Sequence, residues 1–246
     1  AGPVILKQFR RPLAVENKAQ NGAFDPVTKA DRAAERLIAQ QLAKRYPEHG
    51  IVGEEFGRRP GAGQFDWIVD PIDGTRAFIM GSPLWGTLIG LLDGGAPCLG
   101  LMDQPFTGER FWSAKSASYF RLGKGPSKRI RTRSCPRLDD AILTTTHPDL
   151  FVGRGQRQVL QDLSAATRLT RFGGDCYGYC LLAAGHVDLI VEPDLKAHDI
   201  APLIPIITLG ALELGQLLSG AVLTEQIFTI PGFGKLIVDA AFNRAY

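Results

Sequence analysis

The sequence has few of the residues that build disulfide frameworks or zinc sites. It holds four cysteines and four histidines in 246 residues. No two cysteines form a C-x-x-C pair, and the histidines lack the close spacing of a zinc-hydrolase motif. These absences argue against disulfides and against a zinc site. They favour an intracellular, cytoplasmic chain whose thiols stay reduced.

Several other patterns are missing as well. No serine or cysteine lies in a recognisable nucleophile motif, so a covalent mechanism is the weaker interpretation. There is no internal repeat, no low-complexity segment and no visible signal peptide. The net charge of +3 is spread out, apart from a basic cluster between residues 124 and 137 that lacks interleaved aromatic residues. We interpret that cluster as a solvated surface and predict no nucleic-acid partner.

What is present indicates a globular α/β protein with a large core. Hydrophobic residues make up 45% of the chain and charged residues 22%. The first half predicts a helix over 28–46, strands over 50–52 and 65–69, a hairpin over 84–102, a strand over 109–113 and a polar connection over 113–137. The second half predicts strands over 141–145, 169–172 and 187–191, alternating with helices over 156–166 and 177–184. That alternation is typical of a layered α/β lobe.

The stretch 70–75 is the most informative part of the chain. It reads Asp-Pro-Ile-Asp-Gly-Thr, with two carboxylates three residues apart beside a glycine–threonine step that can open a helix. Pro71 should end the preceding strand and turn the chain, so that Asp70 and Asp73 point at one cation. The amides after Gly74 would then form a helix start that suits a phosphate. The alternative is a surface turn with two solvated acids.

Further acids are candidates for the same cation. Glu54 follows a predicted strand, and Asp199 comes much later in the chain. Oxygen-only ligands favour Mg²⁺ or a similar hard cation, and two such ions could clamp the oxygens of a phosphoryl transfer. Taken singly, Glu54 is also compatible with an exposed acid and Asp199 with a helix N-cap.

Asp31 and Asp175 each allow two interpretations. Thr28-x-x-Asp31 is a capping-box pattern, but Asp31 near Thr75 could also help to deprotonate a water molecule. The segment 171–177 places Arg171, two glycines and Asp175 between a strand and a helix, where small ligands are often held. Its alternative is a tight glycine turn in which Asp175 caps the helix. Glu192, just past a strand, is a candidate for the rim of the same site.

Together these motifs resemble the inositol monophosphatase superfamily of magnesium-dependent phosphatases. The matching segments are Gly-Glu-Glu at 53–55, the run at 66–75, His-Asp-Ile-Ala at 198–201 and the run from Asp25 to Asp31. The resemblance implies a layered αβαβα fold, Mg²⁺ as cofactor, a small phosphomonoester as substrate and a homodimer. It implies metal binding by Glu54, Asp70, the Ile72 carbonyl, Asp73 and Asp199, and activation of water by Asp31 with Thr75.

Within the superfamily, three segments look most like the histidinol-phosphate phosphatase branch. They are 101–105, 131–135 and 173–177. The substrate implied is L-histidinol phosphate, an intermediate of histidine biosynthesis, and the alternative is an inositol or sugar phosphate. The residues expected to meet the substrate are Glu54, Asp73, Gly74, Thr75, Arg171, Asp175, Glu192 and Asp199.

The resemblance ends near residue 207, which predicts a phosphatase domain over 1–207 with lobes of about 1–137 and 138–207. Residues 208–246 form an atypical apolar tail that resembles part of a peptide-type ABC transporter permease. The run 203–223 is apolar enough to span a bilayer, although a lone span could not form a transport path. Three explanations of this atypical ending compete: a gene fusion, an artefact of the sequence, and a divergent ending packed as soluble helices. We favour one of the first two. An inactive, membrane-associated chimera is the competing functional class.

Overall fold

The computed structural model describes residues 1–18, 26–211 and 221–223, the last of these by backbone alone. Two large β-sheets and three sets of helices alternate through the molecule. A third sheet has two short antiparallel strands, β1 (Val15–Asn17) and β2 (Pro26–Thr28). The order helix, sheet, helix, sheet, helix confirms the predicted layered αβαβα fold.

The larger sheet has eight strands, and one of them carries both acids of the stretch 70–75. In space the order is β10-β9-β8-β7-β6-β5-β3-β4, and every neighbouring pair is antiparallel except β3 with β5. The strands are β3 (Gly50–Gly53), β4 (Gly57–Arg59), β5 (Phe65–Asp73), β6 (Gly86–Asp93), β7 (Ala96–Gln104), β8 (Glu109–Ala114), β9 (Ala117–Leu122) and β10 (Lys128–Ile130). Strands β6 and β7 confirm the predicted hairpin around the glycine turn.

Strand β5 corrects one prediction, because the chain does not leave the sheet at Asp70. It continues to Asp73, and its pairing with β6 shifts register between Asp70 and Asp73. Pro71 has no N–H to give to the sheet, so an irregularity at this point is expected. The shift still lets the chain turn at Gly74, whose φ of 84° is left-handed.

Two helices cover the outer face of the larger sheet. They are α1 (Gly2–Leu6) and α2 (Lys29–Arg45), and α3 (Thr75–Ile79) follows the turn at Gly74. A cluster of fully buried side chains joins these elements, formed by Ile5, Phe9, Ala30, Ala34, Ile72, Phe78 and Trp85. This apolar layer fixes the start of α2 against the loop that follows Asp70.

The smaller sheet is parallel, with strands in the order β12-β11-β13-β14. The strands are β11 (Ile142–Thr145), β12 (Leu169–Phe172), β13 (Leu189–Val191) and β14 (Ala221–Leu223). Helix α4 (Arg154–Ala166) packs on its outer face, and α5 (Asp175–Ala183) and α7 (Ile204–Ala211) lie between the two sheets. A short helix α6 (Ala197–Ile200) precedes α7, and two 3-10 helices cover Leu138–Asp140 and Pro148–Leu150.

The predicted polar connection over 113–137 is wrong, since it contains β9 and β10. Ser118 is fully buried there, and its hydroxyl donates a hydrogen bond to the carbonyl of Ile206 in α7 at 2.5 Å. Ser118 interrupts the apolar alternation that normally reveals a strand, although Phe120 on the same face of β9 packs against the core. The sheet is therefore wider than the sequence indicates.

The predicted boundary after residue 207 falls inside α7. Ile206 and Ile207 are both buried, and they belong to the core between the sheets. Among the described residues, no helix is long and apolar enough to cross a membrane. Most of the apolar tail predicted over 208–246 lies outside the described residues, and the division into lobes stays a prediction.

Candidate active site

The stretch 70–75 forms a compact loop at the end of β5. Asp70 is 2% exposed, and its Oδ1 accepts a hydrogen bond from the Ile72 N–H at 2.9 Å. Thr75 is the first residue of α3, and its hydroxyl lies 3.0 Å from the Ile72 carbonyl oxygen. The loop thus gathers two carboxylates, a carbonyl and a hydroxyl at one sheet end.

Asp31 reaches this loop from the first turn of α2. It is fully buried, and its Oδ2 accepts hydrogen bonds from the Thr28 N–H at 2.8 Å and the Thr28 hydroxyl at 2.6 Å. Its other oxygen, Oδ1, lies 3.5 Å from the Thr75 hydroxyl. Asp31 therefore completes the capping box and also faces Thr75, and its part in activating water stays a prediction.

Glu54 comes from the end of β3, where a second buried acid supports it. Glu35, 2% exposed on α2, accepts hydrogen bonds from the Glu55 N–H at 2.8 Å and the Phe56 N–H at 3.0 Å. A Cβ on Gly53 would lie 1.7 Å from a Glu35 oxygen, so only glycine leaves room for this carboxylate. Lys18 adds a cation, with Nζ 2.8 Å from Glu54 Oε1 and 2.8 Å from Glu55 Oε1.

Asp199 joins these acids from α6 in the other half of the chain. Its Oδ2 accepts a hydrogen bond from the Lys196 N–H at 2.8 Å, so it stands at the third position of the helix and not at the N-cap. In the part of the chain that the structure describes, two groups of side chains each have ligand atoms within 4.8 Å of one another. One group is Asp70, Asp73 and Asp199, and the other is Glu54, Asp70 and His198.

The carboxyl groups of this cluster are strained electrostatically in the absence of a cation. Burial, and then the charges of Glu54, Asp73 and Asp199, raises the pKa of Asp70. Burial and the charges of Asp175 and Asp199 raise the pKa of Asp73, and burial raises the pKa of Asp199. Because like charges and burial disfavour ionisation of these acids, the arrangement suits a divalent cation, which would stabilise the ionised carboxylates. The donor set, mostly carboxylate oxygen, suits a hard cation.

The predicted substrate residues fall into two places. Asp175 begins α5 with a φ of 44°, and its Cβ and Cγ lie 3.2 Å from where a Cβ on Gly74 would be. Burial, and then the charge of Glu192, raises the pKa of Asp175 to about 7. The Cys176 N–H next to it donates to Asp73 Oδ2 at 2.6 Å. Asp175 therefore lies directly beside the acidic loop.

Glu192 and Arg171 differ from the positions expected of rim residues. Glu192 is 5% exposed, and its two oxygens accept hydrogen bonds from the Thr146 N–H at 2.6 Å and the Tyr179 hydroxyl at 2.8 Å. Glu192 is therefore a buried carboxylate that satisfies two buried donors, and its expected contact with the substrate stays a prediction. Arg171 is exposed on β12, an edge strand of the smaller sheet.

Three residues at the site were missed from the sequence. Glu35 lies four residues after Asp31, so the two acids share the buried face of α2, and a pair of acids on an apolar face is a signal that could have been noticed. His198 begins the motif at 198–201, but the sequence assigns it no chemical role. Lys18 carried no local signal, because only the fold brings it to Glu54.

The comparison with protein-family models matches residues 1–211 to the Inositol monophosphatase family. The chain belongs to the inositol monophosphatase family. Proteins of this family are metal-dependent, which agrees with the acidic cluster of the chain. The family match ends at residue 211, and the resemblance of residues 208–246 to a permease stays a prediction.

Several relatives of this inositol monophosphatase family member carry phosphatase names, and others are named Nus factor SuhB. The chain is 40% identical to "Bifunctional phosphatase IMPL2, chloroplastic" of Arabidopsis thaliana over 84% of its length, and it spans 58% of that longer protein. It is 34% identical to a histidinol-phosphatase of Chlorobaculum parvum, over 84% of this chain and 78% of the relative. These names are consistent with a phosphomonoester hydrolase.

A solved structure confirms the fold at higher identity. An inositol monophosphatase from Zymomonas mobilis is 43% identical, with a TM-score of 0.72 over 85% of this chain and 78% of that one. Because relatives named for histidinol phosphate and for inositol phosphate both match, the family match alone leaves the substrate open.

Proposed function

We propose that this protein hydrolyses a small phosphomonoester, with the acidic cluster around Asp70 holding the cofactor and Asp31 with Thr75 activating the attacking water. One observation carries this proposal. Two groups of potential metal ligands share Asp70, and next to them the buried carboxylate of Asp31 faces the Thr75 hydroxyl. A structural role for so many buried acids is unfavourable, because the ionised forms repel one another without a cation.

The residues proposed to hold Mg²⁺ are Glu54, Asp70, the Ile72 carbonyl, Asp73 and Asp199. When bound, the cation supplies Lewis acidity, neutralises phosphate charge and lowers the pKa of water. The chain prepares these ligands in advance, since Ile72 N–H orients Asp70 and Cys176 N–H orients Asp73. Such second contacts hold ligands in place before the cofactor arrives.

The proton path proposed for water runs through Thr75 to Asp31. The Thr75 hydroxyl accepts the proton of the attacking water while its own proton moves to Asp31 Oδ1, the oxygen that does not bind Thr28. Burial raises the pKa of Asp31, which makes it a better base than a solvated carboxylate. The new bond joins water oxygen to phosphorus, and the bond from phosphorus to the alcohol oxygen breaks. The alcohol oxygen takes up a proton from solvent, and Asp31 later returns its proton to solvent.

For the substrate we propose L-histidinol phosphate. Asp175 lies beside Gly74 and therefore next to the start of α3, where the phosphate is expected. An ammonium or imidazolium group extending from that phosphate would meet the Asp175 carboxylate, with Glu192 adding negative charge behind it. Gly74 and Thr75 would bind the phosphate, together with the cation held by Glu54, Asp73 and Asp199. Arg171 is proposed to contact the substrate from β12, at the exposed edge of the smaller sheet.

The second candidate substrate is an inositol phosphate. It is supported by the 43% identity to the Zymomonas mobilis inositol monophosphatase. An inositol ring offers hydroxyl groups and no positive charge, so it would use Asp175 as a neutral or ionised acceptor. The two candidates therefore differ in how strongly they depend on the charge of Asp175.

The test compares phosphate release from L-histidinol phosphate and from myo-inositol 1-phosphate, with Mg²⁺ and at a pH above the Asp175 pKa of about 7. We expect Asp175→Asn to lower kcat/KM for histidinol phosphate by roughly tenfold to a hundredfold, the worth of a charge-assisted hydrogen bond. Asp149→Asn, at a carboxylate that is 91% exposed, is the matched control and should change nothing.

Three results would contradict parts of this proposal. A preference for inositol phosphate would favour the second candidate. An equal loss on both substrates in Asp175→Asn would remove the assigned role of its charge. Turnover of neither substrate by the folded, metal-loaded protein would favour the inactive chimera. We also propose a homodimer, on family resemblance alone. From the composition of the sequence we propose a cytoplasmic location and no nucleic-acid partner.

A further inference from the structure

The side chain of His198 is the unexplained member of the acidic cluster. One of its ring nitrogens lies in one group with oxygens of Glu54 and Asp70, all within 4.8 Å of one another. The Nε2 nitrogen is the unsatisfied one. This atom is inaccessible to solvent and has no hydrogen-bond partner among the described residues. A buried nitrogen without a partner costs roughly 1–3 kcal/mol, so an additional partner is expected.

An ion pair with Asp199 does not account for this nitrogen. Nε2 lies 3.3 Å from Asp199 Oδ1, but the geometry is not that of a hydrogen bond. The two residues are neighbours in α6, so their proximity follows from the backbone alone. By contrast, Glu54 and Asp70 come from β3 and β5, and only the fold brings them to His198. The group of three therefore draws its members from three separate elements.

The two ligand groups of the cluster have different chemistry. Asp70, Asp73 and Asp199 offer oxygen only, whereas Glu54, Asp70 and His198 add an imidazole nitrogen. Oxygen ligands suit Mg²⁺, whereas an imidazole nitrogen binds transition metals such as Zn²⁺ and Ni²⁺ well, Mn²⁺ less strongly and Mg²⁺ poorly. The prediction of oxygen-only ligands from the sequence describes just the first of these groups.

We propose that His198 is a metal ligand, and that its Nε2 atom, with Glu54 and Asp70, forms a cation position that prefers Mn²⁺ or another transition metal to Mg²⁺. This inference rests on the proposed metal use of the same cluster. Asp70 lies in both groups, so the two positions share one carboxylate. The oxygen-only position keeps its preference for Mg²⁺, and the cluster accepts two kinds of cation.

The test detects the nitrogen ligand directly on the full-length protein loaded with Mn²⁺. Electron spin-echo modulation at the ¹⁴N frequencies reports an imidazole bound to the ion. The variants are His198→Phe, which keeps a ring of similar size, and the control His186→Phe, at an exposed histidine outside both groups. Titration of each protein with Mn²⁺ and with Mg²⁺ gives the affinities, and circular dichroism checks that each variant is folded.

We expect ¹⁴N modulation in the wild type and in His186→Phe, and none in His198→Phe. Mn²⁺ affinity should fall by at least about tenfold in His198→Phe, while the tightest Mg²⁺ affinity changes far less. Mn²⁺ binding by the wild type without ¹⁴N modulation would overturn this inference and leave the phosphatase proposal standing. A wild type that binds neither ion would overturn both. Should His198→Phe fail to fold, the wild-type modulation alone decides whether a histidine is bound, and His198→Gln replaces it in the comparison.

Discussion

Asp70 connects more of the site than any other residue described here. It belongs to both groups of close ligand atoms, and it is almost fully buried. Burial, and then the charges of Glu54, Asp73 and Asp199, raises the pKa of its carboxyl group. A residue under this much electrostatic strain without a cation should limit the stability of the metal-free protein while being required for turnover.

We expect Asp70→Asn to reduce kcat/KM by at least about a hundredfold, since it removes a shared ligand charge at nearly constant volume. In the metal-free protein, the same change should raise the melting temperature at neutral pH. The folded-state pKa of Asp70 is raised, so the wild type binds more protons folded than unfolded between the two pKa values. Its stability therefore falls as pH rises through that range, and the variant lacks this loss.

Melting curves of both proteins with chelator, from acid to neutral pH, measure this difference. The gain from Asp70→Asn should shrink towards acid pH, below the ordinary aspartate pKa of 3.8. Asp149→Asn, at an exposed carboxylate, should show no such pH-dependent gain. An increase in melting temperature that is equal at every pH would mean that ionisation of Asp70 does not destabilise the folded protein.

Single residues differ in how well the sequence predicts them. Asp70, Asp73 and Thr75 stand in one short stretch, so their proximity follows from local spacing. Glu192 could not be placed, because its burial depends on Thr146 and Tyr179, which approach it only in the folded chain. The roles of the predicted metal and substrate residues stay predictions until the variants are measured.

At the scale of elements, α2 and the end of β3 form one unit. Asp31 and Glu35 project from the same face of α2, one towards Thr75 and the other over Gly53. Glu35 fixes the backbone that presents Glu54 without being part of either ligand group. It is a positioning residue in this arrangement.

We expect Gly53→Ala to destabilise the protein by about 1–3 kcal/mol, because the new methyl group overlaps the Glu35 carboxylate. That carboxylate cannot move away without giving up its bonds to Glu55 and Phe56. Metal affinity should fall with it as Glu54 is displaced. Urea unfolding and a metal titration of the folded protein measure the two effects.

The matched control is Gly155→Ala, at a helical glycine of α4 with open space around it. It should stabilise the protein by about 0.5–1 kcal/mol, as alanine does in a helix. If Gly53→Ala were as stable as the wild type and kept its metal affinity, the Glu35 carboxylate would not be held where the structure places it.

Elements with a clear period are predictable, and those that depend on distant partners are not. The apolar spacing of α2 and the glycine turn between β6 and β7 identified those elements from the sequence. Strands β9 and β10 were missed, because Ser118 is buried by its bond to the α7 backbone and not by its own hydrophobicity. The register shift in β5 depends on pairing with β6 and also lay outside local reasoning.

At the scale of the whole molecule, α7 joins the layers on either side of it. Ile206 is fully buried, and its Cγ1 lies 3.3 Å from where a Cβ on Gly100 in β7 would be. Its carbonyl binds Ser118 in β9, and the same core cluster includes α5 and β13. The segment near the predicted domain boundary is therefore part of the central core.

We expect Ile206→Ala to lower the free energy of unfolding by about 2–5 kcal/mol, because it leaves a cavity between the two sheets. Thr208→Ala, on the exposed side of the same helix, should change it by less than about 0.5 kcal/mol. Urea denaturation of the full chain measures both. Similar values for the two variants would mean that α7 does not pack between the sheets.

The hydrogen bond from the Cys176 N–H to Asp73 has a further consequence. It ties the first turn of α5, where Asp175 begins the helix, to a proposed metal ligand on the larger sheet. Anything that neutralises Asp175 then also relieves repulsion at Asp73, because the charge of Asp175 raises the pKa of Asp73. Asp73 should then be ionised more readily when the substrate is bound, so the cofactor should release fewer protons on binding to the substrate complex than on binding to the free protein.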